Sequence, residues 1–298
     1  MTTLDALADR VLQGEGLSDA DARTFLDTHD LIAIGAIGDG VRRRRHEGRA
    51  TFVRVFEVHV DAPPASLPPR VDAGEFRIVG RPASIDAAEA AVKAAAALAG
   101  DKPVTGFSLA DLQTASGGSL ADALARLRAA GLESIASLPV DQVEQPEAAV
   151  ELVRKAGLGL TRLTVQSLAD DQRVEVVTRA RDLQSAVGGF RVFAPLPESQ
   201  SVTTPSTGYD DVKQIALARV VLTNIESIQV DWIQYGPKLA QVALTVGADD
   251  IDRVSAVDPG LLGTRRSPLE EIRNNIRAAG LEAIERNGRY ESLAARAR

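Results

Sequence analysis

The chain has 298 residues, and 34 Lys and Arg against 41 Asp and Glu give it a formal net charge of −7. This acidic balance argues against a nucleic-acid or polybasic membrane function, because both need clustered positive surface. The sequence contains no cysteine, which excludes a disulfide framework, a thiolate zinc site, a cysteine nucleophile and a thiolate-held iron–sulfur cluster. We therefore expect no metal ion and no cofactor.

No apolar run approaches the roughly 20 residues that span a bilayer. The N-terminal segment is amphipathic and acidic and has no signal-peptide core, which predicts a cytoplasmic protein without a membrane partner. Residues 1–48 predict helices. Ser18 with Asp21 is a typical cap of the second helix, and the third helix is predicted over Leu31 to His46. The four consecutive arginines at 42–45 are interpreted as a solvated helix face rather than a binding patch.

From Phe52 the hydrophobic pattern changes to that of a strand, which is predicted to end at Val60. The next stretch, DAPPASLPPR, has four prolines and cannot form regular structure. Short apolar runs then alternate with helical segments, most of which end at glycine. Six further strands are predicted over 75–79, 104–108, 133–137, 160–166, 190–194 and 225–232. Helices are predicted between and after them over 85–99, 119–130, 145–156, 169–187, 210–222, 237–246 and 268–279.

This β–α alternation predicts parallel strands with crossover helices, hence an α/β fold of the TIM-barrel-like class. Six or seven of these strands are plausible where a complete barrel has eight, so an incomplete or open barrel stays an alternative. We predict a single compact unit with an N-terminal helical extension over 1–50. The barrel core is predicted over 51–252, and a C-terminal helical segment packed on the barrel over 253–298.

Two groups of polar residues are candidates for a site. Glu57, His59 and Asp61 alternate along the first strand and so share one face, where they either line a pocket or pair with one another. The segment Gly247 to Asp252 holds three carboxylates within four residues, for which acidic caps of a turn are favoured over a metal site. The polar loop over 197–209 is a weak ligand-contact candidate. The residues alone name no reaction.

Several stretches carry a family resemblance. They are TNIESIQVDWIQYGPKLAQVALTVGADDID over 223–252, IRAAGLEAIERNGRY over 276–290, RDLQSAVGGFRVFAPLP over 181–197, LARLRAAGLESI over 124–135 and the N-terminal stretch over 14–42. These stretches span most of the chain and occur in the same order along it as in the family. They resemble the radical S-adenosylmethionine (radical SAM) enzymes of the futalosine route to menaquinone, aminofutalosine synthase and dehypoxanthine futalosine cyclase. The deazaflavin synthase family is a more distant match. The resemblance implies a radical-SAM-type barrel.

The departures from this family bear on function. Its members hold a cluster in Cys-x-x-x-Cys-x-x-Cys after a His-Ile-Asn-like turn, which His59-Val60-Asp61 resembles. The cysteines would fall near Ser66, Arg70 and Ala73, and all three are lost. The family's Gly-Gly segment after the next helix has no room in this sequence. The family's Gly-His-x-Glu stretch is replaced by SLAD over 167–170, and its Gly-Thr pair after Asp252 is replaced by Arg253-Val254. Radical SAM chemistry is therefore excluded, because hydroxyl, guanidinium and methyl groups cannot replace three thiolates on iron.

Two functional hypotheses follow. The favoured one is a non-catalytic paralogue that acts as partner, stabiliser or regulator of an intact relative, in a hetero-oligomer with a cysteine-containing homologue linked to menaquinone biosynthesis. The alternative is a repurposed barrel enzyme or binding protein for a nucleoside- or naphthoate-like ligand. Asp111 stands where relatives carry the glutamate of Phe-Thr-x-x-Glu. The candidate pocket residues are Glu57, His59, Asp61, Asp111, Gln166 and Asp231.

Overall fold

The computed structural model describes residues 3–199, 207–258, 260 and 267–293. It divides into two compact units. Unit 1 comprises Met1–Ala50, Leu163–Ile251 and Asn275–Ala283, and unit 2 comprises Thr51–Arg162, Asp252–Asn274 and Ile284–Arg298.

The described residues contain nine β-strands and eleven α-helices. The strands are β1 Arg49–His59, β2 Glu75–Val79, β3 Val104–Ser108, β4 Ser134–Pro139, β5 Arg162–Val165, β6 Val192–Pro197, β7 Ser227–Asp231, β8 Asp250–Ser255 and β9 Glu282–Arg286. The helices are α1 Thr3–Leu12, α2 Asp19–Asp27, α3 Leu31–His46, α4 Ile85–Ala99, α5 Leu109–Ala115, α6 Leu120–Ala130, α7 Pro146–Lys155, α8 Arg173–Val187, α9 Gly208–Val221, α10 Trp232–Leu244 and α11 Pro268–Ala278.

Strands β1 to β8 are the eight parallel strands of a TIM-barrel-like α/β fold, which confirms the predicted fold class. The count of six or seven strands, and with it the incomplete barrel, is wrong because β8 was interpreted as an acidic turn. The C-terminal segment is also not wholly helical, since it holds the end of β8 and the whole of β9 beside α11. Helix α5 was missed because β3 leads into it without a turn signal.

In unit 2, strands β1, β2, β3 and β4 are parallel neighbours in that order. The register pairs Glu57 with Arg77, and Arg77 with Thr105, so these three side chains share one face of the sheet. The opposite face is apolar and packs on α4. There the rings of Phe56 and Phe76 lie with centroids 5.2 Å apart.

In unit 1, helix α3 packs closely on α9 and on the segment before β8. A Cβ at Gly38 would lie 2.1 Å from the carbonyl oxygen of Val246, so only glycine fits. The solvated-face interpretation of the arginine run is wrong for two of its members. Arg42 is fully buried and pairs with Asp39, and Arg45 donates to carbonyl oxygens just beyond the end of α9, including that of Ile225 at 2.8 Å.

The predicted helix starts match the observed capping groups. Ser18 and Asp21 form a capping box at α2, as expected. The helix predicted from Pro237 is the second half of α10, which begins earlier, at Trp232, and kinks at Gly236, where φ is +73°. Local sequence therefore determines most element boundaries in this chain.

Candidate functional site

The carboxyl end of β1 carries Glu57, the first of the predicted pocket residues. Its carboxylate accepts a hydrogen bond from Nε of Arg253 at 2.7 Å, and only 22% of the Glu57 side chain and 26% of the Arg253 side chain are exposed. Arg253 occupies the position at which the resembling family carries glycine, and its φ is +57°, a backbone conformation that favours glycine. The arginine neutralises Glu57, so this carboxylate is not a free base for proton transfer.

The other two members of the predicted trio lie at and beyond the end of β1. The strand ends at His59, so Asp61 lies in the following turn, and both residues are exposed. Strand alternation does not extend into the turn. Placing Asp61 on a strand face together with Glu57 and His59 is therefore wrong, because Asp61 lies two residues beyond the end of β1.

Asp111 lies in the first turn of α5, directly after β3. Its carboxylate pairs with Nε of Arg81 at 2.7 Å, and 75% of the Arg81 side chain is exposed. Exposed pairs of this kind contribute only about 0–1 kcal/mol to stability. Asp111, at the position of the resembling family's glutamate, thus has an arginine partner that the sequence pattern does not predict.

Gln166 and Asp231 lie in unit 1, and both form hydrogen bonds near the end of β6. Gln166 donates to the hydroxyl of Ser199 at 2.6 Å. Asp231 caps α10 by accepting from the backbone N–H of Gln234 at 2.9 Å, and the Gln234 side chain in turn donates to the carbonyl oxygen of Pro197 at 2.6 Å. That all six predicted residues line one pocket stays a prediction. Most of the polar loop predicted to contact ligand, residues 200–206, lies outside the described residues.

Sequence reasoning missed a buried ionic cluster in unit 2. Arg77 donates to Glu75 at 2.7 Å and to both carboxylate oxygens of Asp252 at 2.6 and 2.9 Å, and Arg162 lies 3.4 Å from the same aspartate. Thr105 donates to Glu75 at 2.5 Å. The sequence feature that indicates this cluster is the pair of charged residues, Glu75 and Arg77, at alternate positions in the otherwise apolar strand β2.

The electrostatics of this cluster are those of a structural ion-pair network. Burial alone would raise the pKa of Asp252, but Arg77 and then Arg162 hold that pKa well below its usual range. Burial likewise opposes the charge of Arg77, whereas Asp252 and Glu75 raise its pKa well above its ordinary value. Glu75 and Thr105 lie near the amino ends of β2 and β3. Active sites of TIM barrels lie at the carboxyl ends, so the cluster stabilises the fold.

The three carboxylates of the segment before and within β8 have separate partners. Asp249 pairs with the buried Arg219, whose pKa burial lowers to about 10, and it accepts from the backbone N–H of Ile228 at 2.8 Å. Asp250 accepts from Gln229 at 2.5 Å, and Asp252 belongs to the ionic cluster. The turn interpretation is therefore wrong, and no group of metal-binding side chains occurs within the described part of the chain.

The positions of the lost cysteines do not fit an iron–sulfur cluster. Ser66 and Arg70 are exposed in the segment between β1 and β2, whereas Ala73 is 5% exposed and buried in the core of unit 2. Hydroxyl, guanidinium and methyl groups supply no thiolate, and their different burial does not present three side chains to one ligand. We therefore derive no step through such a cluster.

Several buried polar atoms of unit 1 have no hydrogen-bond partner among the described residues. Two of them lie on strands, Oε1 of Gln229 in β7 and Oγ1 of Thr164 in β5, in side chains that are 1% and 0% exposed. An unpaired buried polar atom costs about 1–3 kcal/mol, so native proteins normally satisfy it with water or ligand. These two atoms are therefore candidates for contact with water or ligand, and the predicted set of site residues does not include them.

Comparison with solved structures defines the class of the fold. The FeFe-hydrogenase maturase HydG from Carboxydothermus hydrogenoformans matches 99% of this chain and 81% of its own length, with a TM-score of 0.65 and 13% identity. Methylornithine synthase (PylB) matches 93% of this chain and 97% of its own, with a TM-score of 0.61 and 12% identity. At such low identity the likeness shows the fold alone, a TIM-barrel-like α/β fold.

Sequence comparison places the chain among particular relatives. Residues 195–297 match the CofH/MqnC C-terminal region. Cyclic dehypoxanthine futalosine synthase from Streptomyces coelicolor is 30% identical over 59% of this chain and 50% of its own length. Aminodeoxyfutalosine synthase from the same organism is 36% identical over 41% and 37%. 5-Amino-6-(D-ribitylamino)uracil–L-tyrosine 4-hydroxyphenyl transferase 2 from Methanosarcina mazei is 30% identical over 60% and 55%.

The chain is therefore similar, over part of its length, to curated enzymes of the futalosine pathway, which confirms the predicted resemblance, and it contains no cysteine. Its matches span about half, or less, of the length of these curated relatives. Within the residues that the structure describes, no helix is both long and apolar enough to cross a membrane.

Proposed function

We propose that this chain is a non-catalytic radical-SAM-like paralogue that acts as partner, stabiliser or regulator of an intact, cysteine-bearing relative linked to menaquinone biosynthesis. The observation that carries the proposal is the combination of a kept fold with a chain that holds no cysteine. A scaffold outlasts its chemistry when it keeps another role, because fold and function are separable. We place this role in the cytoplasm.

The state of the candidate site supports a non-catalytic role. Glu57 is neutralised by Arg253, Asp111 pairs with Arg81, and Asp231 is used as a helix cap. Each of these carboxylates therefore already has a structural partner. A binding partner, by contrast, needs no free carboxylate.

The experiment is co-expression of this chain with a cysteine-bearing relative of the aminodeoxyfutalosine synthase type. We expect the two to elute together at a defined stoichiometry, and the thermal midpoint of the relative to rise when this chain is added in excess. An unrelated TIM-barrel protein of similar size is the control. If this chain elutes alone and leaves the relative's midpoint unchanged, the proposed partnership is wrong.

A second candidate is a binding protein for a nucleoside- or naphthoate-like ligand. Its support is the pair of unpartnered buried atoms at Gln229 and Thr164 in unit 1. A ligand at about 100 times its Kd stabilises by about 2.7 kcal/mol, and each kcal/mol raises the midpoint of a chain of this size by roughly 2–4 °C. A thermal-shift screen with both ligand classes tests it. No shift with either class argues against this candidate, and a shift that survives in Gln229→Met argues against Gln229 as a contact.

A further inference from the structure

The connection between β1 and β2 departs from the pattern of the fold. Parallel strands of one sheet are normally connected through a helix, and β2 to β3 and β3 to β4 follow this rule with α4, and with α5 and α6. Residues 60–74 connect β1 to β2 without a helix. Four prolines explain this, because each removes a backbone donor and clashes with the preceding helical turn. The lost cysteine positions all lie in this connection.

The second half of the connection is paired with the segment that follows β8. Val71 forms an antiparallel bridge with Val257, the backbone N–H of Asp72 donates to Ala256 at 3.0 Å, and that of Asp258 donates to Arg70 at 3.1 Å. Nη2 of Arg54 in β1 also donates to the Asp72 carboxylate at 2.6 Å. We call this set of contacts between 70–72, 256–258 and Arg54 the latch.

The latch fixes the backbone around two of the positions that the resembling family gives to cysteine. Val71 is held in an antiparallel bridge, and the backbone groups of Arg70 and Asp72 on either side of it are hydrogen-bonded to 256–258. Arg70 is exposed and has a φ of +59°, whereas Ala73 is buried. A fixed backbone that exposes one position and buries the other does not present both side chains to one metal centre.

We propose that the β1–β2 connection has changed from a metal-binding loop into a structural latch, so that the loss of the cluster is fixed in the backbone as well as in the side chains. Cysteines restored at 66, 70 and 73 then do not rebuild a cluster site. This inference concerns the connection alone and holds whichever function the chain has.

The first test is the triple variant Ser66→Cys, Arg70→Cys and Ala73→Cys, treated anaerobically with ferrous iron and sulfide and then desalted. Far-ultraviolet circular dichroism and the thermal midpoint check that the variant folds as the unmodified chain does. We expect no stoichiometric iron–sulfur absorbance and no cluster signal in electron paramagnetic resonance after reduction. A stoichiometric cluster in the folded variant overturns the proposal.

The second test needs no cysteine variant and decides the matter if the triple variant does not fold. Hydrogen exchange is measured on peptides that cover 70–74 and 255–258, in Asp72→Ala and in the control Asp61→Ala. Asp61 is an exposed carboxylate of the same connection outside the latch. We expect exchange in both peptides to rise about three-fold in Asp72→Ala, the effect of losing one partly exposed ion pair, and to stay unchanged in Asp61→Ala. Unchanged exchange of 255–258 in Asp72→Ala refutes the latch.

Discussion

Arg253 is the residue at which backbone and side chain make opposite demands. Its φ of +57° suits glycine, which the resembling family carries there, while its guanidinium pairs with Glu57 at 2.7 Å. Replacing it by glycine or by alanine separates the two effects. Both substitutions remove the ion pair, but only Arg253→Gly relieves the left-handed backbone.

The magnitudes follow from the geometry. A left-handed conformation costs a residue with a Cβ about 1–2 kcal/mol, and glycine avoids this cost. Glycine loses more chain entropy on folding, which offsets roughly 0.5–1 kcal/mol of that advantage. The ion pair between two mostly covered side chains is worth about 1 kcal/mol. We therefore expect Arg253→Ala to be about 1 kcal/mol less stable than the unmodified chain. Arg253→Gly should be about 0.5–1 kcal/mol more stable to unfolding than Arg253→Ala.

Urea unfolding followed by circular dichroism measures both differences, provided that the denaturant slope is the same in all three chains. Glu57→Ala is the matched control, because it removes the same ion pair and leaves the backbone at 253 untouched. An Arg253→Ala chain as stable as Arg253→Gly, or more stable, would refute the strain argument. Equal stability of Glu57→Ala and the unmodified chain would refute the ion-pair part.

Three further outcomes follow from buried groups. Asp252→Asn should lose about 3–5 kcal/mol in guanidinium chloride unfolding, because the buried Arg77 keeps only Glu75 of its two carboxylate partners and Arg162 loses the carboxylate 3.4 Å away. A loss below about 1 kcal/mol contradicts the cluster's role. Since the folded pKa of Asp252 lies below its unfolded value of about 3.9, its contribution is fully present above that pH and is lost as the pH falls below about 4. Thermal midpoints between pH 7 and pH 3 should therefore fall more steeply for the unmodified chain than for Asp252→Asn, and parallel curves would contradict this assignment. Gly38→Ala should lose about 1–3 kcal/mol against the Val246 carbonyl, whereas the control Gly40→Ala meets only the flexible end of Leu12 and should gain up to about 1 kcal/mol; equal midpoints for the two variants would contradict the close packing.

The parts of the fold that the sequence predicts are those determined locally. Helix α3 begins and ends where its apolar pattern and its glycine stop predict, and Ser18 caps α2 through a hydrogen bond three residues away. Strand β8 was missed for a non-local reason. Its carboxylates are tolerated in a buried strand only because Gln229 and Arg77, distant in sequence, lie against Asp250 and Asp252. No window along the chain contains that information.

The same limit applies to the candidate site. The sequence identifies Glu57 and Asp111 as polar residues at the carboxyl ends of strands, and the structure places them there. It does not announce Arg253 and Arg81 as their partners, because Arg253 is 196 residues from Glu57 and Arg81 follows another strand. Pairing converts a carboxylate from a possible base into a structural group, so a site derived from residue types alone overstates the chemistry that remains.

The residues that stabilise unit 2 differ from those that a metal centre would need, and this explains how the fold persists without one. Its ionic cluster of Glu75, Arg77 and Asp252 is buried between the strands, and its apolar face packs on α4. Of the positions that the resembling family gives to cysteine, Ser66 and Arg70 are exposed and contribute to neither, whereas Ala73 is buried as an apolar residue. Residues 70–72 are held by the latch to 256–258, so the strands of unit 2 depend on no thiolate in the β1–β2 connection. The fold of unit 2 therefore does not depend on a metal centre, which is what the proposed partner role requires.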